Sequence, residues 1–374
     1  MNKPIYVTQP SLAPLEEFNE YLEQIWASGV MTHNGPMMQL LEKDVSAYED
    51  VSDTICVANG TIAMQLAIRA MDLQGEIITT PFTFIATANS IIWERCTPIF
   101  VDIDPETWNI DPEKIEAAIT DKTSAILPVH VFSNPCDVVR IQQIADKQGL
   151  KVIYDAAHAM CVKVNGKSIM TYGDVSATSF HATKLFNTCE GGACFTRNEE
   201  LAMRIRRMRF FGFDESKEVV DDGLNAKMTE VSAALGLANL KHLDEVRKNR
   251  REKYELYQSL LEDLEYITFQ KFDPEEYNYS YMPVLFDTED RVLKTLEKLA
   301  EENVYPRRYF YPSLHGGSRC GTCACTSSRR STCMKNFEKI DLPVAESVAS
   351  RIACLPLYDG LTEEDIRMIC GLIG

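Results

Sequence analysis

From Ile55 onward the chain alternates short runs that are apolar at nearly every position with longer runs of helical period. ICVA precedes TIAMQLAIRAM, EIITT precedes FIATANSIIWER, PIFVDI precedes DPEKIEAAIT, and AILPVHV precedes CDVVRIQQIADKQG, before VIYDA, VSATSF and GACFT close the series. Strands with so little polar alternation are buried on both faces, and helices between them imply crossovers in a parallel sheet. The first two thirds therefore read as one large α/β domain. From Ala233 to Leu264 the helical period continues without a proline, which predicts one long helix running into a second unit. There YSYMPVLF reads as a strand and RVLKTLEKLAEEN as a charged helix, giving a smaller α+β C-terminal domain. The expected division is 1–240 and 241–374.

In a parallel sheet of this kind ligands sit beyond the carboxyl ends of the strands, so the residues that follow each run are the candidate site. After ICVA, Asn59-Gly60-Thr61 opens a helix, where free amides suit a phosphate and glycine allows close approach; a plain turn is the simpler reading of that glycine alone. Phe82 and Phe84 follow EIITTP, and either ring can stack on a flat ligand or pack in a core. Asp155 ends VIYD, with His158 just beyond; a carboxylate there needs a cationic partner or serves as a helix cap. Lys184 follows VSATSF between Ser179 and Gly191-Gly192, where it is either a surface cation or a desolvated amine that attacks carbonyls. A buried acid, such an amine, an aromatic plate and a phosphate cup are together what pyridoxal phosphate requires.

Composition changes this picture little. The 374 residues are 45% hydrophobic, enough for a buried core, and the formal charge of −17 argues against a nucleic-acid partner. No run reaches the ~18 apolar residues of a membrane span, and the first residues lack the apolar core of a signal peptide, so a cytoplasmic protein without a membrane partner is expected. Of the 12 cysteines, Cys56, Cys96, Cys161, Cys194 and Cys354 stand singly in apolar runs, where a thiol acts as a small hydrophobe.

The motifs VTQPSLAPLEEF, THNGP, NGTIAMQLAI, PFTFIATANSI, VDIDPETWNIDPEKIEAAIT, VIYDAAHA, SFHATKLFNTCEGGA, LNAKMTEVSAALG and RIACLPLY fall in order along nearly the whole chain. In them the sequence resembles the DegT/StrS-type nucleotide-sugar aminotransferases, pyridoxal-phosphate enzymes of fold type I. That resemblance implies a mostly parallel seven-stranded sheet in the large domain. It also implies that Lys184 bonds the cofactor and moves the proton, and that Asp155 holds the pyridine nitrogen. Gly60, Thr61 and Ser179 would contact the phosphate, Phe84 would stack on the ring, and His158 would lie near the ring hydroxyl. Asn225 would reach the phosphate in a neighbouring subunit, so a homodimer with shared sites is expected. Arg307, Arg308 and Tyr309 would line the sugar-nucleotide site. Some members of the family carry histidine in place of the lysine and remove a hydroxyl group; Lys184 points to transamination. FHATKLFNT, NPCDV and PRRYFYPSL are most similar to members that aminate dTDP-4-keto-6-deoxyhexoses with L-glutamate, giving dTDP-4-amino-4,6-dideoxyglucose for O-antigen or other polysaccharides; a 3-keto isomer is the alternative substrate.

The chain departs from the family pattern in HGGSRCGTCACTSSRRSTCMKNFEKI. Cys320, Cys323, Cys325 and Cys333 include one pair spaced for a corner of a zinc site, but no second such pair follows, and an atypical loop without metal is the expectation. A noncatalytic regulatory protein on the same fold would not need Lys184, Asp155 and the phosphate-site residues together, and a zinc-dependent interaction protein built on the cysteine cluster is told apart by metal analysis of the purified protein.

Overall fold

Each of the seven apolar runs forms a strand, and together they make one sheet in the order Asp53–Val57, Gly192–Thr196, Val175–Ser179, Lys151–Asp155, Thr123–Leu127, Glu76–Thr79, Thr97–Phe100. Six of the strands run parallel; Gly192–Thr196 is antiparallel to both its neighbours. The computed structural model describes residues 3–315 and 340–374. Cys320, Cys323, Cys325 and Cys333 lie outside the described residues.

Strand residues point alternately to the two faces, and both faces are dry. Cys56, Ile78, Ile126 and Val152 pack into one apolar cluster, with Met38, Leu41 and Val45 of the helix Pro36–Glu49. Ile55, Val57, Ile77, Leu127 and Ile153 pack into another, under the helix Gly60–Ala70. Burial on both faces is why these runs lack polar alternation.

A three-stranded antiparallel sheet, Ile267–Phe269, Met282–Phe286 and Ile352–Leu355, forms the smaller unit. Its own core includes Tyr254, Tyr257, Val284, Leu299 and Ile369, from helices Leu243–Leu261, Glu289–Glu301 and Glu363–Ile373. The strand Ile5–Tyr6 pairs in parallel with Val304–Tyr305, so the N-terminal residues reach this unit as well.

The single helix expected between Ala233 and Leu264 is in fact two, Glu230–Leu240 and Leu243–Leu261. The break comes from contacts remote in sequence. The Asn239 side chain accepts the Ala13 amide at 2.8 Å and donates to the Asn187 carbonyl at 2.9 Å, while the His242 ring meets Glu17 at 2.8 Å. The proposed division at residue 240 falls at this break. The eight cysteines among the described residues are free, and Cys56, Cys96, Cys161, Cys194 and Cys354 are all buried.

Candidate active site

Because the strands run parallel, Gly60, Phe84, Asp155 and Ser179 all emerge at one edge of the sheet. The reversed strand begins there, at Gly192, and brings the loop carrying Lys184 to the same edge. A cavity of about 630 Å³ opens at this edge. Gly60, Thr61, Phe84, Asp155, His158, Ser179, Lys184 and Tyr309 all line it. Asn225, Arg307 and Arg308 do not.

At one end of the cavity lies the start of the helix Gly60–Ala70. Asn59 caps it, its side chain accepting the Ile62 amide at 2.9 Å, and the Gly60 and Thr61 N–H groups are left without partners inside the helix. The backbone segments here touch. A Cβ on Gly60 would come within 2.8 Å of the Ser179 Cβ, and one on Gly192 within 2.6 Å of the Asn59 carbonyl carbon. Glycine at both positions closes a cup of amide and hydroxyl donors at a helix N-terminus, which suits a phosphate.

Asp155 is buried behind the cavity, and its two carboxylate oxygens are held separately. One accepts the Thr87 hydroxyl at 2.7 Å and the other the Ala157 amide at 3.1 Å; Thr83 pairs with Thr87 at 2.8 Å. Burial raises the carboxyl's pKa, and these contacts and the nearby Lys184 charge oppose the rise.

The Lys184 amine donates to the Tyr281 hydroxyl at 3.4 Å. The side chain faces the cavity but is otherwise enclosed by protein, and this desolvation lowers its pKa to about 8, against the attraction of Asp155. His158 is neutral, because burial and, secondarily, Lys184 hold its pKa well below the usual histidine range. Its Nδ1 accepts the Phe132 amide at 3.2 Å, which places the ring proton on Nε2. The ring lies 4.6 Å from that of Tyr281. Phe84, by contrast, is 59% exposed, an aromatic face left open at the cavity wall.

An open aromatic face, a desolvated amine, a buried carboxylate and a glycine-lined cup fit a flat, phosphorylated aldehyde with a basic ring nitrogen. Pyridoxal phosphate is such a molecule. No group of three or more His, Cys, Asp or Glu side chains placed to hold a metal occurs among the described residues.

Asn225 is exposed, and its side-chain oxygen accepts from Lys227 at 2.5 Å. Arg308 donates to Glu289 at 2.8 Å and to the Ser350 carbonyl at 2.6 Å, with its guanidinium 3.5 Å from the centre of the Tyr311 ring. Arg307 is exposed, with no hydrogen-bond or ion-pair partner for its side chain among the described residues. Sequence reasoning missed Thr83, Thr87, Glu190, Tyr281 and Phe310, of which Glu190, Thr83, Tyr281 and Phe310 line the cavity. Thr83 and Thr87 are four apart in FTFIATAN, a spacing that gains meaning only once Asp155 is known to lie opposite. Tyr281 and Phe310 come from the smaller unit and left no local signal.

The amine's environment sets a pH dependence. Below pH 8 Lys184 is an ammonium without a lone pair, and above it a nucleophile. Uptake of pyridoxal phosphate by the cofactor-free protein, followed by absorbance, is therefore expected to accelerate with rising pH about a midpoint near 8. A midpoint near the ordinary 10.5 would show that the amine is not desolvated.

A family model described as the DegT/DnrJ/EryC1/StrS aminotransferase family matches residues 14–373. The chain is 40% identical over 380 residues to dTDP-4-amino-4,6-dideoxy-D-glucose transaminase of Shigella dysenteriae, covering 100% of this chain and 99% of that protein. Among solved structures it is similar to DesI, determined in the presence of its TDP-sugar product, with TM-score 0.91, 33% identity and coverage of 100% and 93% of the two chains. It is also similar to NtdA of Bacillus subtilis with bound cofactor PMP, with TM-score 0.86, 30% identity and coverage of 96% and 81%. No helix among the described residues is long and apolar enough to cross a membrane.

Proposed function

Since the chain belongs to the DegT/DnrJ/EryC1/StrS aminotransferase family, a family of pyridoxal-phosphate enzymes, we propose that it moves the amino group of L-glutamate to the keto carbon of a nucleotide-linked sugar. The proposed acceptor is dTDP-4-keto-6-deoxy-D-glucose and the product dTDP-4-amino-4,6-dideoxyglucose, a precursor for O-antigen or related polysaccharide made in the cytoplasm. The observation that carries the reading is a desolvated Lys184 amine in one cavity with the Asp155 carboxylate and the helix N-terminus at Gly60.

When bound, the cofactor supplies the carbonyl that takes up the amino group and the ring that delocalises the electron pair left on carbon. In this reading Lys184 Nζ holds the cofactor between turnovers. Once freed, it takes the proton from Cα of glutamate and, in the second half-reaction, delivers one to the sugar carbon. Tyr281, hydrogen-bonded to that amine, orients it. Asp155 holds a proton on the pyridine nitrogen, and Thr87 and Ala157 keep its carboxylate in place. Neutral His158 presents its Nε2–H near the ring hydroxyl. Phe84 stacks on the ring, while Gly60, Thr61 and Ser179 take the phosphate.

Asn225 completes the cup in a second copy of the chain, so the protein is proposed to be a homodimer. Its exposure, with exposed Phe211 and Val219 on the neighbouring segment, supports this. Sedimentation should give a dimer, and a fully active monomer at assay concentration would exclude a shared site.

Of the two arginines after Tyr305, the Arg307 side chain has no hydrogen-bond or ion-pair partner among the described residues and is proposed to meet the diphosphate, while Tyr309 lines the cavity. Arg307→Ala should raise the KM for the sugar nucleotide by about 10-fold or more, the loss of one charge-assisted contact, and leave the glutamate half-reaction unchanged because glutamate carries no diphosphate. Arg308→Ala should instead lower thermal stability, since Glu289 and Ser350 lose their partner. Equal damage by Arg307→Ala to both half-reactions would remove it from the sugar-nucleotide site.

The deciding experiment offers a panel of 3-keto and 4-keto sugar nucleotides to the enzyme charged with glutamate and identifies products by mass spectrometry. Amination of the dTDP-linked 4-keto sugar in preference to all others is expected. Preference for a 3-keto sugar, or no amination of any, would overturn the substrate proposal.

A further inference from the structure

Outside the cavity, a buried ion pair lies along the edge of the seven-stranded sheet. Asp53–Val57 is the outermost strand, hydrogen-bonded on one side only, to Gly192–Thr196. Backbone groups on its other side need partners, because an unpaired buried N–H or C=O is costly. At Cys56, which is wholly buried, two side chains supply them. Glu42 accepts the Cys56 N–H at 2.8 Å, and the Arg209 guanidinium donates to the Cys56 carbonyl at 2.8 Å. Arg209, itself only 4% exposed, also donates through the same nitrogen to Glu42, and through its other terminal nitrogen to the Asn34 side chain at 3.4 Å. The pair thus satisfies both outward-facing backbone groups of Cys56, as a neighbouring strand would.

The grip continues toward the cup. Two residues on, the Ala58 N–H donates to the Ala226 carbonyl at 2.8 Å, and the Ala226 N–H donates to the Arg209 carbonyl at 3.1 Å. Arg209, Cys56, Ala58 and Ala226 form a closed ring of contacts. Ala58 immediately precedes Asn59-Gly60-Thr61, and Ala226 stands between Asn225 and Lys227. Arg209 therefore ties three segments into one unit: its guanidinium holds the THNGP turn and the strand leading into the cup, and its backbone carbonyl holds the Asn225 segment.

We infer that Arg209 and Glu42 are positioning residues that set the Asn59–Thr61 cup for the cofactor's phosphate from outside the cavity. Neither lines the cavity. Arginine suits the position because its planar fork meets Glu42, Cys56 and Asn34 at once. A lysine keeps the charge opposite Glu42 but has no such fork, and it cannot hold all three in one plane. The inference rests on the cup being the phosphate site.

Titrating cofactor-free protein with pyridoxal phosphate and with pyridoxal, which lacks the phosphate, tests it. Wild type is expected to bind the phosphorylated form far more tightly. Arg209→Lys should weaken pyridoxal phosphate binding by about 10-fold, the value of one charge-assisted contact to phosphate, and leave pyridoxal binding unchanged. Glu42→Gln, which keeps an acceptor for the Cys56 N–H but removes the charge, should act in the same direction and serves if the lysine variant does not fold. Equal weakening of both ligands, or of neither, in the folded variant would overturn the inference, since a general loss of structure does not select for a phosphate. Wild-type protein that binds pyridoxal as tightly as pyridoxal phosphate would overturn the reading of the cup itself.

Discussion

Replacing Lys184 with alanine is expected to lower turnover by about 10³-fold or more, on the scale of a lost general base, while leaving a folded protein that still takes up the cofactor without bonding it. The fold should survive because, among the described residues, the Lys184 side chain makes one hydrogen bond, a long one at 3.4 Å to Tyr281, and its amine faces the cavity. Removing an amine whose charged form is disfavoured by burial exposes no buried partner ion; Asp155 stays held by Thr87 and Ala157. Wild-type protein should show a visible absorption band that borohydride abolishes, with the mass of the cofactor fixed on the peptide containing Lys184. In Lys184→Ala the label should be absent. A labelled alanine variant, or one with turnover near wild type, would assign the chemistry to another amine.

Asp155→Asn should keep the cofactor and lose about 10²-fold or more in turnover, the scale found when one preorganised charged or polar contact is removed from a dry site. The amide is nearly the same size, and the Thr87 hydroxyl, free to turn toward Thr83, can accept from the new NH₂ group, so the pocket's shape is retained. What disappears is the negative charge that would hold a proton on the pyridine nitrogen. The same charge attracts the Lys184 ammonium and keeps its pKa from falling further. The midpoint for cofactor uptake should therefore move to lower pH in Asp155→Asn, an effect a purely structural carboxylate close to Lys184 would share. The loss of turnover with cofactor retained is the part that separates the two roles. Near-normal turnover would mark Asp155 as structural.

The two variants share a physical basis: a low-dielectric pocket in which one amine and one carboxylate influence each other's ionisation. Lys184 is pushed toward its neutral form, Asp155 toward its own, and each charge opposes the other's shift. Binding a cationic ring nitrogen against Asp155 would favour its ionised form.

Much of the fold and part of the site could be read along the chain. Runs such as EIITT and VIYDA showed their burial on both faces because nothing polar interrupts them, and helices between them left parallel pairing as the natural outcome. Parallel strands end at one edge, so Gly60, Phe84, Asp155, Ser179 and Lys184, each at or shortly past the end of a strand, converge there. Contacts between remote segments were beyond that reading. Tyr281 meets an amine 97 positions earlier, and Arg209 meets Glu42 across 167. The break at Lys241–His242 follows from Asn239 reaching Ala13 and Asn187, with no proline or glycine to mark it. Arg307 and Arg308 are adjacent and chemically alike, yet Arg308 is tied to Glu289 and Ser350 while Arg307 has no such partner among the described residues. Local pattern determines which faces of an element must be buried, and with them the strands, their direction and the residues at their ends. Which distant side chain arrives to satisfy a given buried group depends on how the units pack, and only the tertiary structure decided that.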